Sequence, residues 1–364
     1  MEQQQKSNVQ KTDFFPCPSC GANMVFSPEA QSLICPYCNS KVDIKNQNTD
    51  IMEYDFETAE EESSTDWGNE NRVIHCENCG ADTVLNENMV AQSCAFCGSS
   101  HIVKTDQMSG IAPGSLVPFK VTKKNAETSF LKWIKNRHWA PGKLKSHYQA
   151  EKLSGVYIPS WTYDSNTYSY YTAEAGTYYY ETVTEWVEEN GERKEVTKQV
   201  RKTRWEFTSG YYSRFFNDVL VNASKKINEN LMTKLEPFYL NELTTYDSRY
   251  MSGFLAEKYS VNLKQGWEKS KAVINRNINR DIIKKIGADE VRNLNINTSY
   301  NDIKYKHLLL PIWVSSFTYK NKLYQYLING QTGEIQGQYP KSVPKIVGTI
   351  IGGIFALLLL ILII

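Results

Sequence analysis

Eight cysteines, all between positions 17 and 97, constrain this chain more than any other feature. They form four C-x-x-C pairs: Cys17 with Cys20, Cys35 with Cys38, Cys76 with Cys79 and Cys94 with Cys97. Fourteen residues separate the pairs within each half, and every cysteine recurs 59 positions later, together with Gly21/Gly80, Ala22/Ala81, Val25/Val84 and the aromatic Tyr37/Phe96. This is a tandem duplication. A C-x-x-C turn sets two sulfurs on one side of a tight knuckle, and a short hairpin that returns a second knuckle completes a tetrahedral four-sulfur site. The expected hairpin strands are 24–26 with 32–34, and 84–85 with 89–91. Gly21 and Gly80 suit the backbone turn that follows each first knuckle.

Each repeat therefore reads as a zinc ribbon holding one structural Zn2+, with all eight cysteines as ligands. Four protein ligands leave no coordination position for water, so metal-assisted catalysis is not expected there. Redox pairs of the thioredoxin type would need a surrounding βαβ pattern, which the sequence lacks. His75 and His101 flank the second ribbon and read as surface or packing residues.

Charge divides the chain at Gly110. Residues 1–110 hold 6 Lys+Arg against 17 Asp+Glu, a net of −11, while the whole chain is at +1. With two Zn2+ ions on eight thiolates the N-terminal part reaches about −15. The opposite pole is basic: residues 120–152 carry nine Lys+Arg against Glu127 and Glu151. Lys123, Lys124, Lys132, Lys135, Arg137, Lys143 and Lys145 are the candidate residues for an anionic surface, either lipid headgroups or nucleic acid. Residues 46–71 hold nine acids and no Lys or Arg, the composition of a flexible linker. Residues 1–14 read as a disordered N-terminus; 1–15 contain no apolar run of the secretory kind, which places the N-terminus in the cytoplasm.

From residue 112 to 340 the pattern is that of an α+β body rich in Tyr and Trp. Ala126, Phe130, Trp133 and Ile134 mark one amphipathic helix that stops before Pro141-Gly142. Leu263, Trp267, Ser270, Ile274, Ile278 and Ile282 mark a longer one, ended by Gly287. A long hairpin is expected to turn at Asn190-Gly191, and a final one at 329–333. Tyr157-Ile-Pro-Ser-Trp161 and Leu310-Pro-Ile-Trp313 share a texture that suggests a second, diverged duplication. The Tyr-rich segment 168–180 reads as sheet packing. No nucleophile-elbow or phosphate-loop motif occurs, and His138, His147 and His307 join no carboxylate or metal constellation, so no enzymatic activity is expected.

Residues 346–364 carry no charge, and at ~1.5 Å per residue they extend ~28 Å, close to the hydrocarbon thickness of a bilayer. The expectation is one C-terminal transmembrane helix, with Lys341 and Lys345 keeping the body on the cytoplasmic side of the cell membrane. Gly348 and Gly352 make a candidate homodimer contact. The expected fold class is thus multidomain: zinc ribbon 1 (15–45), linker (46–71), zinc ribbon 2 (72–106), α+β body (112–340) and a transmembrane helix (346–364).

These features together resemble the bacterial TFIIB-type zinc-ribbon membrane proteins of Bacillus and its relatives. The resemblance lies in both cysteine sets, and extends through Val117-Pro-Phe119, Phe130-Leu-Lys-Trp133, Tyr157-Ile-Pro-Ser-Trp161, Leu310-Pro-Ile-Trp313 and 329–335. It implies a membrane adaptor that recruits cytosolic and membrane stress-response proteins, beside a phage-shock-protein-A-like factor and a flotillin-like partner. The alternative is a membrane-tethered nucleic-acid-binding ribbon protein of transcription or replication. An N-terminal part near −15 repels phosphate, so that reading would rest on the basic body.

Overall fold

The computed structural model describes residues 15–44, 51–59, 72–85, 94–97, 99, 102–105, 110–142, 153–189, 192–319 and 322–363. At a few of these, including 102–105, 356 and 358–363, only the backbone path is described. The expected N-terminal disorder, the second-ribbon strand at 89–91, Lys143, Lys145 and the turn residues 190–191 lie outside this set.

The first ribbon is a small antiparallel sheet of β1 (Val25–Ser27), β2 (Ser32–Ile34) and β3 (Lys41–Asp43). All other strands belong to one large sheet. It takes in β4 (Tyr54–Asp55) from the acidic segment, and β5 (Arg72–Cys76), β6 (Asp82–Leu85) and β7 (Ile102–Thr105) from the second ribbon. Next come β8 (Ser115–Leu116) and helix α1 (Lys123–Lys135). β9 (Ser154–Glu189) and β10 (Glu192–Asn222) form the long hairpin, followed by α2 (Glu229–Leu235), β11 (Thr244–Thr245) and β12 (Leu255–Glu257). The chain continues through α3 (Leu263–Ile286), β13 (Glu290–Tyr319), β14 (Lys322–Asn329) and β15 (Ile335–Gly337), and ends in α4 (Val343–Ile363).

Two parts of the expected fold class are corrected. Among the described residues strands dominate, at 46%, beside four helices, so the body is a β structure carrying helices and not an α+β mixture. Non-local pairing of three very long strands, which no sequence window reveals, is the reason. In addition, among the described residues no helix is long and apolar enough to cross a membrane. A helix does occupy the expected transmembrane position, but its side chains are described only as far as Leu357.

The linker expectation changes too. Its described part, 51–59, lies on the sheet: Tyr54–Asp55 pair with Lys304 and Tyr305 of β13, and the Phe56 ring packs 5.8 Å from Trp267. Glu53 accepts a 3.0 Å bond from Lys306, a buried lysine that also reaches Asp218 at 2.7 Å. Burial is the largest influence on Glu53 and raises it, but the hydrogen bond and charge of Lys306, the hydrogen bond with Asp164 and the charge of Lys304 together outweigh it and hold the carboxyl below its usual range.

β9 and β13 form the spine, paired antiparallel from Ser154↔Val314 to Gly176↔Glu290. The two Pro-x-Trp segments lie side by side, with Pro311 opposite Tyr157 and Pro159 opposite Leu309. Their tryptophans make the same bond. Trp161 Nε1 donates to Val261 O at 2.9 Å, one residue before Asn262, the N-cap of α3; Trp313 Nε1 donates to Val121 O at 2.9 Å, one residue before Thr122, the N-cap of α1. Each hairpin thus fixes the helix that precedes the other, the arrangement expected of two diverged copies.

Alternation along the spine sends Tyr157, Leu309 and Trp313 to one face, under α1 and ribbon 1, and Val156, Ile158, Leu308 and Leu310 to the other, under α2 and ribbon 2. Both amphipathic helices bury the side chains their periodicity marked, and Gly287 takes a left-handed φ of 67° at the end of α3. The buried Asn329 shapes the last turn, accepting from the N–H groups of Gln331 and Thr332 while its amide donates to Leu235 O and Pro237 O beyond α2.

Past Gly176, where β13 begins, β9 and β10 continue alone as a two-stranded arm, with Glu189 opposite Glu192 leaving two residues for the turn. Ion pairs of Lys202 with Glu181 and Lys198 with Glu185 cross between the strands of the arm.

Two predictions test this core. A Cβ at Gly266 of α3 would stand 2.2 Å from Tyr163 Oη and 2.9 Å from Trp161, so Gly266→Ala should destabilise the chain by about 1–3 kcal/mol in denaturant unfolding. His307 lies buried against Trp161, its Nδ1 2.8 Å from Ile111 O, and burial pushes the imidazole down to about 4. The unfolded ring titrates near 6.5, so between pH 6.5 and 4 only the unfolded chain binds this proton, and the contribution to stability is lost as pH falls. Glu257, pushed up to about 8 by burial, has the opposite sign, so the comparison is with His307→Phe, which should lose about one proton from the slope of stability against pH.

Candidate metal centres

In ribbon 1 the Sγ atoms of Cys17 and Cys38 are 3.3 Å apart, and those of Cys20 and Cys35 are 3.5 Å apart. In ribbon 2 the corresponding distances are 3.6 Å (Cys76–Cys97) and 3.7 Å (Cys79–Cys94). Within each set all four sulfurs lie within 4.8 Å of one another, and none is in a disulfide. A tetrahedron with metal–sulfur bonds of ~2.3 Å has edges of ~3.8 Å, so each set fits one ion.

The knuckles are built alike. Cys17 N–H donates to Ala22 O and Gly21 N–H to Cys17 O; Cys76 N–H donates to Ala81 O and Gly80 N–H to Cys76 O. Gly21 and Gly80 have φ of 74° and 67°, which other residues adopt only with strain. Crowding the thiols splits their proton affinities in ribbon 2. Burial pushes Cys94 up to about 11, whereas at Cys97 burial is outweighed by hydrogen bonds from the Asn78 side chain and the Ser99 backbone, leaving it at about 7. A bound cation favours the thiolate at every position.

The repeats differ in their surroundings. β6 of ribbon 2 pairs with β12, Ala256 opposite Val84 and Glu257 opposite Thr83, so this ribbon is part of the main sheet. Lys226 Nζ donates to Cys79 O at 2.7 Å, and Cys76, Cys94 and Phe96 belong to the same apolar cluster as Leu231 and Met232 of α2. Ribbon 1 keeps its own sheet and leans on the 248–254 segment: Phe26 N–H donates to Ser252 O, Ser252 Oγ donates to Met24 O at 2.7 Å, and the Phe26 ring lies 5.0 Å from Tyr250. No sequence signal marked Lys226, Ser252 or Glu257, because each matters only through a contact distant in the chain.

His75 pairs with Asp82 at 2.7 Å across β5 and β6 and stands outside the ligand set; His101 lies outside the described residues. Lys123, Lys124, Lys132 and Lys135 are exposed on α1, and Arg137 stacks 4.8 Å from Trp133. Residues following α1 meet the base of α4: Ser342 N–H donates to Trp139 O at 2.7 Å, and Lys345 Nζ donates to Ala140 O at 2.8 Å.

Comparison with known proteins adds one relative. The chain is 28% identical over 354 residues to YdjG, an uncharacterized protein of Bacillus subtilis (strain 168), covering 95% of this chain and 96% of that one. The relative's name assigns it no function. No family model matches the chain, and no solved structure matches it.

Two metal ions per chain are expected in elemental analysis of purified protein. Replacing Cys76 and Cys79 by Ser should lower the melting temperature more than replacing Cys17 and Cys20, because the second ribbon is hydrogen-bonded into the main sheet. Equal losses would place the two ribbons on the same footing.

Proposed function

We propose that this chain is a non-enzymatic adaptor in which two structural Zn2+ ions shape a protein-binding module held at the cell membrane. The observation that carries the reading is the inequality of the repeats at one aromatic position. Tyr37, on the second knuckle of ribbon 1, is 81% exposed, whereas its counterpart Phe96 in ribbon 2 is 3% exposed. Ribbon 2 spends that ring on the core; ribbon 1 offers it to a partner. An exposed aromatic on a cross-linked knuckle loses little conformational freedom on binding, which suits an anchor residue.

Zinc is the metal assigned because four thiolates in a closed tetrahedron are its characteristic structural set. Attachment to the membrane is supported by the corner where the segment after α1 meets the base of α4. Lys123, Lys124, Lys132 and Lys135 lie on α1, while Val347, Ile350, Ile351, Ile354 and Phe355 of α4 are all exposed. Cations for anionic headgroups and apolar side chains for the acyl boundary thus emerge from one region. Recruitment of stress-response proteins, including a phage-shock-protein-A-like factor and a flotillin-like partner, comes from the family resemblance. The acidic N-terminal part disfavours nucleic acid as the ligand of the ribbons.

The test is co-purification from solubilised membranes. Tyr37→Ala should reduce recovery of the cytosolic partner about tenfold while leaving metal content unchanged; equal recovery sinks the role of ribbon 1. Changing the four α1 lysines to Glu should reduce co-sedimentation with vesicles containing anionic lipid, and unchanged sedimentation removes α1 from the membrane contact.

A further inference from the structure

β9 and β10 are paired residue for residue, so even-numbered β9 side chains share one face with odd-numbered β10 side chains as far as Phe215. The other face sends Tyr171, Ala173 and Phe216 towards α3, whose Asp281 accepts a 2.8 Å bond from Tyr212 Oη. At its base this first face is covered by α2 and ribbon 2, which pack on Val156 and Ile158, but from Tyr168 outward its rings stand exposed. Tyr168, Tyr170, Tyr180 and Trp186 of β9 stand there with Phe207, Tyr211 and Phe215 of β10, between 44% and 76% exposed. Of the exposed aromatic residues on these two strands, Tyr179 alone lies on the opposite face.

An antiparallel sheet with one face to water normally makes that face polar. A fully buried aromatic side chain removes ~150–250 Å² from water, so at these exposures the seven rings offer on the order of 800 Å². That total, distributed over ~60 Å of hairpin from Tyr168 to Trp186, is about what one partner contributes to a standard interface.

The electrostatics narrow the choice of partner. Arg292 of β13 pairs with Glu174 and stacks 4.0 Å over Trp205, and Tyr178 Oη donates to Glu290 at 2.6 Å. Between the rings stand Thr172, Thr182, Thr184 and Gln199 of the hairpin and Asn295 and Asn297 of β13. Glu188, Arg193, Glu195 and Arg201 stand on the same face, which makes four acids against three arginines, so its net charge is small and favours neither a polyanion nor a polycation. Rings, hydroxyls and amides in such a balance complement a surface of the same kind.

We propose that this face is the contact between two copies of the chain, packed sheet on sheet. The two sheets stack ~10 Å apart with their rings interdigitated. A two-fold axis gives both copies the same contact and closes the assembly at a dimer. The dimer carries two ribbon 1 knuckles, but the contact itself does not depend on what those knuckles bind.

The experiment is sedimentation equilibrium of the full chain in a mild non-ionic detergent, over a concentration series from nanomolar to tens of micromolar. The wild type is expected to be a dimer that dissociates on dilution. The double substitution Phe207→Lys with Tyr211→Lys should weaken it about a hundredfold, about tenfold for each position. Circular dichroism and metal content establish that the variant folds. The double substitution Gly348→Leu with Gly352→Leu should leave the dimer intact, which separates this contact from one through α4. A photo-crosslinker at position 207 should give a product of twice the chain mass. A wild type monomeric throughout, a dimer indifferent to the Phe207/Tyr211 pair, or crosslinks only to lipid, glycan or another protein would each overturn the proposal.

Discussion

The antiparallel pairing of β9 with β13 is the constraint on which the rest of the structure depends. It brings Trp161 and Trp313 to where each indole ties down the chain just before a helix N-cap, so helix and hairpin of the two halves are held crosswise. Neither half can dock its helix without the other half's strand. The buried apolar layers on both sides follow from this pairing, since strand alternation sends neighbouring residues to opposite faces. A one-residue slip would exchange Leu308 and Leu310 with Leu309, and with them the surfaces under α1 and α2.

Metal enters this scheme unequally. The second ribbon extends the main sheet through β6 and β12, so its thiolate site works as a staple at one sheet edge. The first ribbon rests on the 248–254 segment and leaves Tyr37 of its outer knuckle exposed. Duplication supplied two similar modules, and packing against the body gave them different surroundings.

Local features of the sequence were legible wherever a short window contains the whole physical reason. Cysteine spacing placed both four-sulfur sites, and the 3.6-residue period placed the buried residues of α1 and α3 one by one. Long-range pairing was not legible. A 36-residue β9 has no local signature, because alternating Tyr and Thr describe a short strand equally well. Acidic composition suggested a free linker at 46–71, yet Glu53, Tyr54 and Phe56 find Lys306, Tyr305 and Trp267 more than two hundred residues away. The C-terminal helix was anticipated as a helix, while the transmembrane assignment did not survive.

The two-stranded arm beyond Gly176 runs thirteen residues along β9, about 43 Å at ~3.3 Å per residue, with no third strand beside it among the described residues. Isolated hairpins are marginal in water, and the two exposed pairs, Lys202 with Glu181 and Lys198 with Glu185, add only a little to what keeps it straight. Such exposed pairs weaken as the Debye length contracts. The arm is therefore held straight mainly by its own backbone ladder, and the salt around it trims only the small share its two ion pairs add.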